Sequence, residues 1–258
     1  AAPDTCAKCK SPQIRFSGFG TERVERELGG IFPGARTGRM DRDTTARRGA
    51  HVQIVGQFRS AATNVLIGTQ MVAKGFDFPG VPLVGVIAAD TSLNLPDFRA
   101  AERTFQLLTQ VAGRAGRGDK EGEVVVQTYR PEDPSIQAAA RHDYDAFYRS
   151  EIENRRELSY PPFRQLVNLI VSAEQERDAS ERAETIAEAL RHAAEGHPVD
   201  VLGPAPAPLA KLRDRHRWHV MVKGERGEAR EIVRQVVADL GDHRQSALSV
   251  DVDPVSLM

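Results

Sequence analysis

The run QVAGRAGR, from Gln110 to Arg117, sets two arginines three residues apart, each with a glycine before it. Arginine presents a planar fork of N–H donors that matches phosphate oxygens, and glycine lets a backbone come close to a ligand. Gln110 adds an amide that can orient a water or a phosphate oxygen. The chemistry this set suits is the neutralisation of charge growing on a transferred phosphoryl group. The plain alternative is a surface loop with two solvated arginines, against which the full spacing Q-x-x-G-R-x-G-R speaks. The run lies between a helix and a strand, where α/β sheets are expected to place ligand-binding loops.

A second block, GTQMVAKGFDFP, runs from Gly68 to Pro79. It follows a short apolar strand, so Thr69, Gln70, Lys74 and Asp77 are expected at that strand's carboxyl edge. Gly68 and Gly75 allow close backbone approach, Thr69 and backbone N–H groups suit sugar and phosphate oxygens, and Lys74 adds charge. The alternative is a tight connection in which Asp77 is a turn residue. A third candidate is the basic stretch KLRDRHRW, 211–218. Lys211, Arg213, Arg215 and Arg217 would neutralise a nucleic-acid backbone and Trp218 would stack a base. The competing reading is a hairpin with a solvated loop and Trp218 in the core, and the sequence leaves both open. Cys6 and Cys9 are the only cysteines and form a C-x-x-C pair. Taken alone, it is a redox motif, half a metal site or chance, since a structural zinc site needs four ligands.

The elements that must position these residues alternate. A helix from Thr21, with Thr21 as its cap, precedes a strand at 36–40. The polar run 41–44 is expected to cap a helix reaching Ser60. Apolar runs at 64–69 and 84–90 read as buried parallel strands, followed by a helix over 99–112 and a strand at 123–129. Residues 133–158 read as charged helix. SYPPF, 159–163, is a stop signal and the expected domain boundary. Beyond it the order is strand 165–172, helix 178–195, strand 199–203, the stretch PAPAPLA, strand 218–223, helix 228–240 and strand 247–252. That is β-α-β-β-α-β, the ferredoxin-like pattern. Asp251 and Asp253 beside Pro254 are expected to shape a strand end. His142, His192 and His197 are expected on the surface, and Phe147, Tyr160 and Phe163 in packing between domains.

The chain has 258 residues, 40 % of them hydrophobic and 28 % charged, the balance of a soluble protein with a sizeable core. Net charge is −1, so any nucleic-acid binding must come from local clusters. No apolar run approaches the roughly 20 residues that cross a bilayer, and no signal peptide is visible. Sparse cysteine points to a reducing, cytoplasmic compartment. The chain begins without Met, which suggests a piece of a longer protein.

The first two blocks together resemble the last two motifs of superfamily 2 helicases, carried on the second RecA-like lobe. That resemblance makes Arg117 the arginine finger, with Arg114 and Gln110 as supporting γ-phosphate contacts. It sets Gly75, Asp77, Gly113 and Gly116 near the nucleotide, and Thr69, with Gln70 and Lys74, near the DNA. A closer resemblance covers 6–254. GFGTERVEREL, RMDRDTT, AKGFDFP, LPDFRAAERTFQLLTQVAGRAGR, YPPF, LGPAPAP and DVDP, in that order, are similar to the primosomal replication-restart helicases of the PriA family. This implies a 3′-to-5′ DNA helicase that uses ATP and Mg, acts at stalled forks and reloads the replicative helicase. DNA, single-stranded DNA-binding protein and other primosome proteins are the implied partners, with no membrane. The implied layout is a remnant of a zinc-binding Cys-rich insertion (1–20), the second RecA-like α/β lobe (21–158) and a small α+β ferredoxin-like domain (159–258). Cys6 and Cys9 would then be zinc ligands whose partners lie elsewhere in the parent protein. No G-x-x-x-x-G-K-[ST] loop is present, so the chain by itself is expected to hydrolyse no ATP. The alternative is a non-hydrolysing DNA- and protein-binding platform that loads the replicative helicase.

Overall fold

Turn chemistry and short apolar runs decide where the first elements begin. The computed structural model describes residues 20–73, 78, 80–113, 115, 122–240 and 247–257. The expectations on Cys6, Cys9, Lys74, Gly75, Asp77, Arg114, Gly116 and Arg117 lie outside them. Helix α1 (Thr21–Ile31) is capped by Gly20, not by Thr21. The Thr21 hydroxyl instead donates to Asp41 Oδ2 at 2.6 Å. Strand β1 (Thr37–Met40) follows. The expected helix start at 41–44 is corrected as well, because Asp41 closes a turn. Its Oδ1 accepts the N–H groups of Asp43 and Thr44 at 3.1 and 2.9 Å. Helix α2 (Ala50–Arg59) begins only after Gly49, whose φ of 84° supplies a left-handed bend.

Strand β2 (Val65–Gly68) pairs parallel with β1, and the one-turn helix α3 (Gln70–Ala73) follows it. Strand β3 (Leu83–Val86) leads through α4 (Asp90–Leu93) and α5 (Ala100–Ala112) to β4 (Glu123–Val126), again paired parallel. Parallel neighbours need a crossover, and here each crossover carries helix, as expected for an α/β lobe. Helix α5 buries Ala100, Thr104, Leu108 and Val111 along one stripe, with Phe105 beside it, the spacing of an amphipathic helix.

The charged stretch read as one helix is two, α6 (Pro134–Ala140) and α7 (Tyr144–Glu157). His142 adopts φ 54° between them, and the Asp143 carboxylate accepts from Ala146 N–H to start α7 afresh. Then come β5 (Gln165–Ala173), α8 (Glu176–Ala193), β6 (Asp200–Leu212), β7 (Arg215–Gly224), α9 (Glu228–Asp239) and β8 (Leu248–Val252). The sheet order is β6-β7-β5-β8, with every pairing antiparallel, which is the ferredoxin-like arrangement. Val167, Leu169 and Val171 of β5 and Val220 and Val222 of β7 face Ala183, Ile186 and Leu190 of α8 and Ile232, Val233 and Val236 of α9 in one core. The PAPAPLA stretch, expected to follow the strand 199–203, is instead part of β6. Strand β6 is an edge with one paired side, where proline's missing N–H is tolerated, and its register slips between Leu202 and Ala205 and between Pro206 and Lys211.

The chain folds into two compact units. One runs up to Ala89 and adds Leu107–Arg130; the other is Asp90–Gln106 with Pro131–Met258. Helix α5 is unbroken, beginning in the second and ending in the first.

Candidate phosphate and nucleic-acid sites

Gln110 lies exposed on the last turn of α5, and Gly113 follows directly on the helix end. The Gly113 N–H donates to Thr109 O at 3.0 Å, closing that last turn. A Cβ at Gly113 would meet nothing closer than 3.6 Å, so internal packing does not demand glycine there. Gly68 is different. Its Cβ would stand 2.5 Å from the Met40 carbonyl oxygen and overlap Val72, so the packing around β1 and β2 by itself demands glycine here. The segment after Gly113 enters β4 at its amino end. The expectation of a strand's ligand-binding edge is therefore corrected, because in open α/β sheets that edge is the carboxyl one. Thr69 and Gln70 do lie at the carboxyl end of β2, both exposed, with Thr69 O accepting from Val72 N–H at 3.0 Å.

The basic stretch is a two-residue hairpin. Leu212 pairs with Arg215, and Arg213 and Asp214 between them have φ of 50° and 60°. Positive φ at both positions is the turn whose twist suits a hairpin. Lys211, Arg213 and Arg215 are exposed and Arg217 is half-buried. Arg215 donates to Ser172 O at 2.8 Å and Arg217 to Leu209 O at 3.2 Å, while Lys211 Nζ is 3.7 Å from Asp214. Carbonyl acceptors orient the two guanidinium groups without cancelling their charge, so four cations oppose one carboxylate. Alternation along β7 sets Arg215 and Arg217 on one face and His216 and Trp218 on the other. Trp218 is partly buried against the ferredoxin-like core, on the face that α8 and α9 cover. The arginines and the indole therefore do not share one surface. His219, on the arginine face, has its pKa lowered by burial and then by the charge of Arg217, which favours the neutral imidazole.

Sequence reasoning missed a buried polar cluster just before α5. The Asp97 carboxylate, with no exposed side-chain surface, accepts from Arg103 at 2.9 Å, from Arg99 N–H at 2.9 Å, from Ser256 Oγ at 3.2 Å and from Leu257 N–H at 3.1 Å. Beside it Arg155 bonds Glu151 at 2.6 Å and Glu102 at 2.8 Å and lies 5.2 Å from the centre of the Phe98 ring. Phe98 stacks on Tyr160 and Phe105 on Phe147, and Arg156 lies over the exposed Phe163, all of them within one compact unit. Nothing local signalled the cluster, whose partners are up to 160 residues apart.

For zinc, Cys6 and Cys9 offer two thiolates, half of a tetrahedral set. Among the described residues no group of three His, Cys, Asp or Glu side chains is placed to hold a metal ion. The residues in hand do not fit a closed zinc site, and no step runs through one. No helix among the described residues is long and apolar enough to cross a membrane.

Residues 20–119 match the helicase conserved C-terminal domain family, and 156–255 the primosomal protein N C-terminal domain family. Along 99 % of its length the chain is 45 % identical to a replication restart protein PriA of Bacillus subtilis, covering 32 % of that protein. It is 41 % identical to the Synechocystis protein of that name over 99 % of this chain and 30 % of the relative. With the Treponema pallidum one it shares 40 % identity over all of this chain and 39 % of the relative. The chain thus spans about a third of the length of these relatives.

Proposed function

The chain belongs to the replication restart protein PriA family, and from that premise we propose that it is the second-lobe and C-terminal portion of an ATP-dependent, 3′-to-5′ DNA helicase acting in replication restart in the cytoplasm. The observation that carries this reading is α5, a buried-striped helix that ends at Gly113 with Gln110 exposed on its last turn and QVAGRAGR running off its end. In this reading Arg117 neutralises charge on the γ-phosphoryl group held by a first lobe, and Arg114 and Gln110 add contacts to the same group. Gly75, Asp77, Gly113 and Gly116 border the nucleotide, whose magnesium and phosphate loop belong to that first lobe. Thr69, Gln70 and Lys74 meet the DNA backbone. Cys6 and Cys9 contribute to zinc binding only together with ligands beyond this chain.

The test uses the full-length protein and this chain side by side. Replacing Arg117 by Ala is expected to lower DNA-stimulated ATPase kcat on the order of 10³-fold with KM for ATP little changed, and the chain alone should show no turnover above background. Unchanged kcat in the variant, or turnover by the chain alone, defeats the arginine-finger reading. ATPase-silent full-length protein would favour the second reading, a binding and loading platform.

The hairpin supports DNA binding under either reading. Four cations around the 213–214 turn suit the phosphates of single-stranded DNA, and DNA, single-stranded DNA-binding protein and other primosome proteins are the partners we assign. Exchanging Lys211, Arg213, Arg215 and Arg217 for Gln should weaken single-stranded DNA binding and flatten its salt dependence by up to about 0.7 in log–log slope for each phosphate no longer neutralised. An unchanged slope removes the hairpin from the DNA path.

A further inference from the structure

We propose that the segment 253–257 is a positioning element for the helix that delivers the phosphate-binding run. The proposal rests on the arginine-finger reading for its functional half and on geometry alone for its structural half.

The segment leaves β8 through a sharp bend. Asp253 adopts φ 55°, its N–H donates to Leu166 O at 2.9 Å, and its carboxylate accepts from Gln165 Nε2 at 3.0 Å. Pro254 and Leu257 are buried, which fixes both ends of the segment. Between them the Val255 carbonyl accepts from Arg99 at 3.2 Å and from Arg103 at 2.6 Å, although the Val255 side chain is exposed. The Ser256 hydroxyl and Leu257 N–H reach the buried Asp97 carboxylate, which also holds Arg103 and the Arg99 N–H.

Two arginines and one aspartate thus tie the first turn of α5 to a strand end more than 150 residues away. An α-helix of 13 residues is a stiff rod of about 20 Å, so a shift or tilt at its first turn is carried to its last. The last turn bears Gln110. Catalytic groups lose on the order of 10²-fold in rate when misplaced by about 1 Å. Asp97, Arg99, Arg103 and the 255–257 backbone are accordingly positioning residues, acting through α5 and touching no substrate.

The experiment truncates the full-length protein after Pro254 and, as a milder variant that keeps the buried Leu257, replaces Arg103 by Gln. Two readouts are taken: amide hydrogen exchange over 107–113, and the kcat and KM of DNA-stimulated ATP hydrolysis. Exchange over 107–113 is expected to speed up at least tenfold while far-ultraviolet ellipticity is retained, and kcat to fall about tenfold with KM for ATP unchanged. An unchanged exchange rate in both variants overturns the proposal, as does faster exchange with unaltered kcat. An Arg117→Ala control separates the two claims. If that control keeps full kcat, the finger assignment fails, and the exchange readout alone then decides whether the segment holds α5.

Discussion

Replacing Arg155 by Leu is expected to destabilise the second unit by about 3 kcal/mol at pH 8, and by visibly less near pH 4.5. Arg155 is only 13 % exposed and Glu151 11 %, so most but not all of the pair is withdrawn from water. Removing one member of such a pair leaves an uncompensated buried charge, at about 3–5 kcal/mol. Stripping the Phe98 ring of its cation adds about 0.5–1 kcal/mol. Glu102, the other partner, is a third exposed, so its share is screened and the lower figure applies. The pH dependence comes from Glu151. Burial raises its pKa, against the lowering by the hydrogen bond and charge of Arg155, and Glu102 and Asp133 add to the rise. Without Arg155 the lowering contributions vanish and the folded-state pKa climbs further. A carboxyl raised in the folded state contributes stability that is present below its unfolded pKa and is lost as pH rises through the folded one. The variant's deficit therefore shrinks on acidification, as Glu151 takes up a proton in place of its missing partner. Urea unfolding of the chain at the two pH values reads this directly. With a slope of about 2 kcal/mol/M the midpoint at pH 8 should fall by roughly 1.5 M. A fall below about 0.3 M, or an equal fall at both pH values, refutes the reasoning.

Three smaller perturbations follow from the same structure. Burial would raise the pKa of Asp41, but hydrogen bonds from Thr21 and Thr44 and the charge of Arg39 outweigh it and hold the carboxyl below its usual range. Its stability contribution is thus present above the unfolded pKa and lost as pH falls through the folded one. Asp41→Asn should cost about 1–3 kcal/mol at pH 7 in urea unfolding and progressively less as the pH drops below the ordinary carboxylate range. Gly68→Ala forces a Cβ against the Met40 carbonyl and Val72 and should destabilise the β1–β2 contact by about 1–3 kcal/mol, read as faster hydrogen exchange in β1 and β2. R213N/D214G relieves two positive-φ residues in the hairpin turn and should raise stability on the order of 1 kcal/mol, seen as a higher melting temperature; a lower one would contradict the turn assignment.

Elements whose signal is local were legible in the sequence. Apolar runs gave β2, β3 and β4, although β3, expected to be buried, keeps no buried residue; the apolar stripe gave α5, and the element order after SYPPF gave the ferredoxin-like pattern, confirmed by the β6-β7-β5-β8 order. Where a residue's partner decides its role, the reading went astray. Prolines 204, 206 and 208 stood outside the expected strand 199–203, yet β6 is an edge and absorbs them. Thr21 read as a cap because its type suits one, yet its hydroxyl serves Asp41 across 20 residues. Trp218 beside three arginines read equally well as a base platform, and only strand alternation set it on the other face. In the candidate site, residue type pointed to Gln110 and Gly113, and the structure adds that they close α5. The Asp97 cluster carries no spacing that periodicity can detect, because its acceptors and donors meet only through the fold.

The placement of 90–106 and α7 in one unit with the ferredoxin-like domain has a physical cause in that domain's sheet. One face is covered by α8 and α9. Alternation sends Leu166, Asn168 and Lys223 to the other face, and Leu166 and Asn168 are as deeply buried as the core. Lys223, the cross-strand partner of Leu166, donates to Leu158 O at 2.9 Å, and its Nζ stands 4.5 Å from the centre of the Tyr160 ring. Burial lowers its pKa, with Asp200 opposing and Arg164 adding to that shift, as expected of an ammonium group under a protein roof. Tyr160 in turn stacks on Phe98, which Arg155 of α7 covers. At Lys223 the second face of the sheet is therefore covered by the Leu158 carbonyl and the Tyr160 ring, which Phe98 and Arg155 back in turn. A boundary drawn at SYPPF follows the sequence, whereas the stack of Lys223, Tyr160, Phe98 and Arg155 runs from this face to α7 and to the segment that leads into α5.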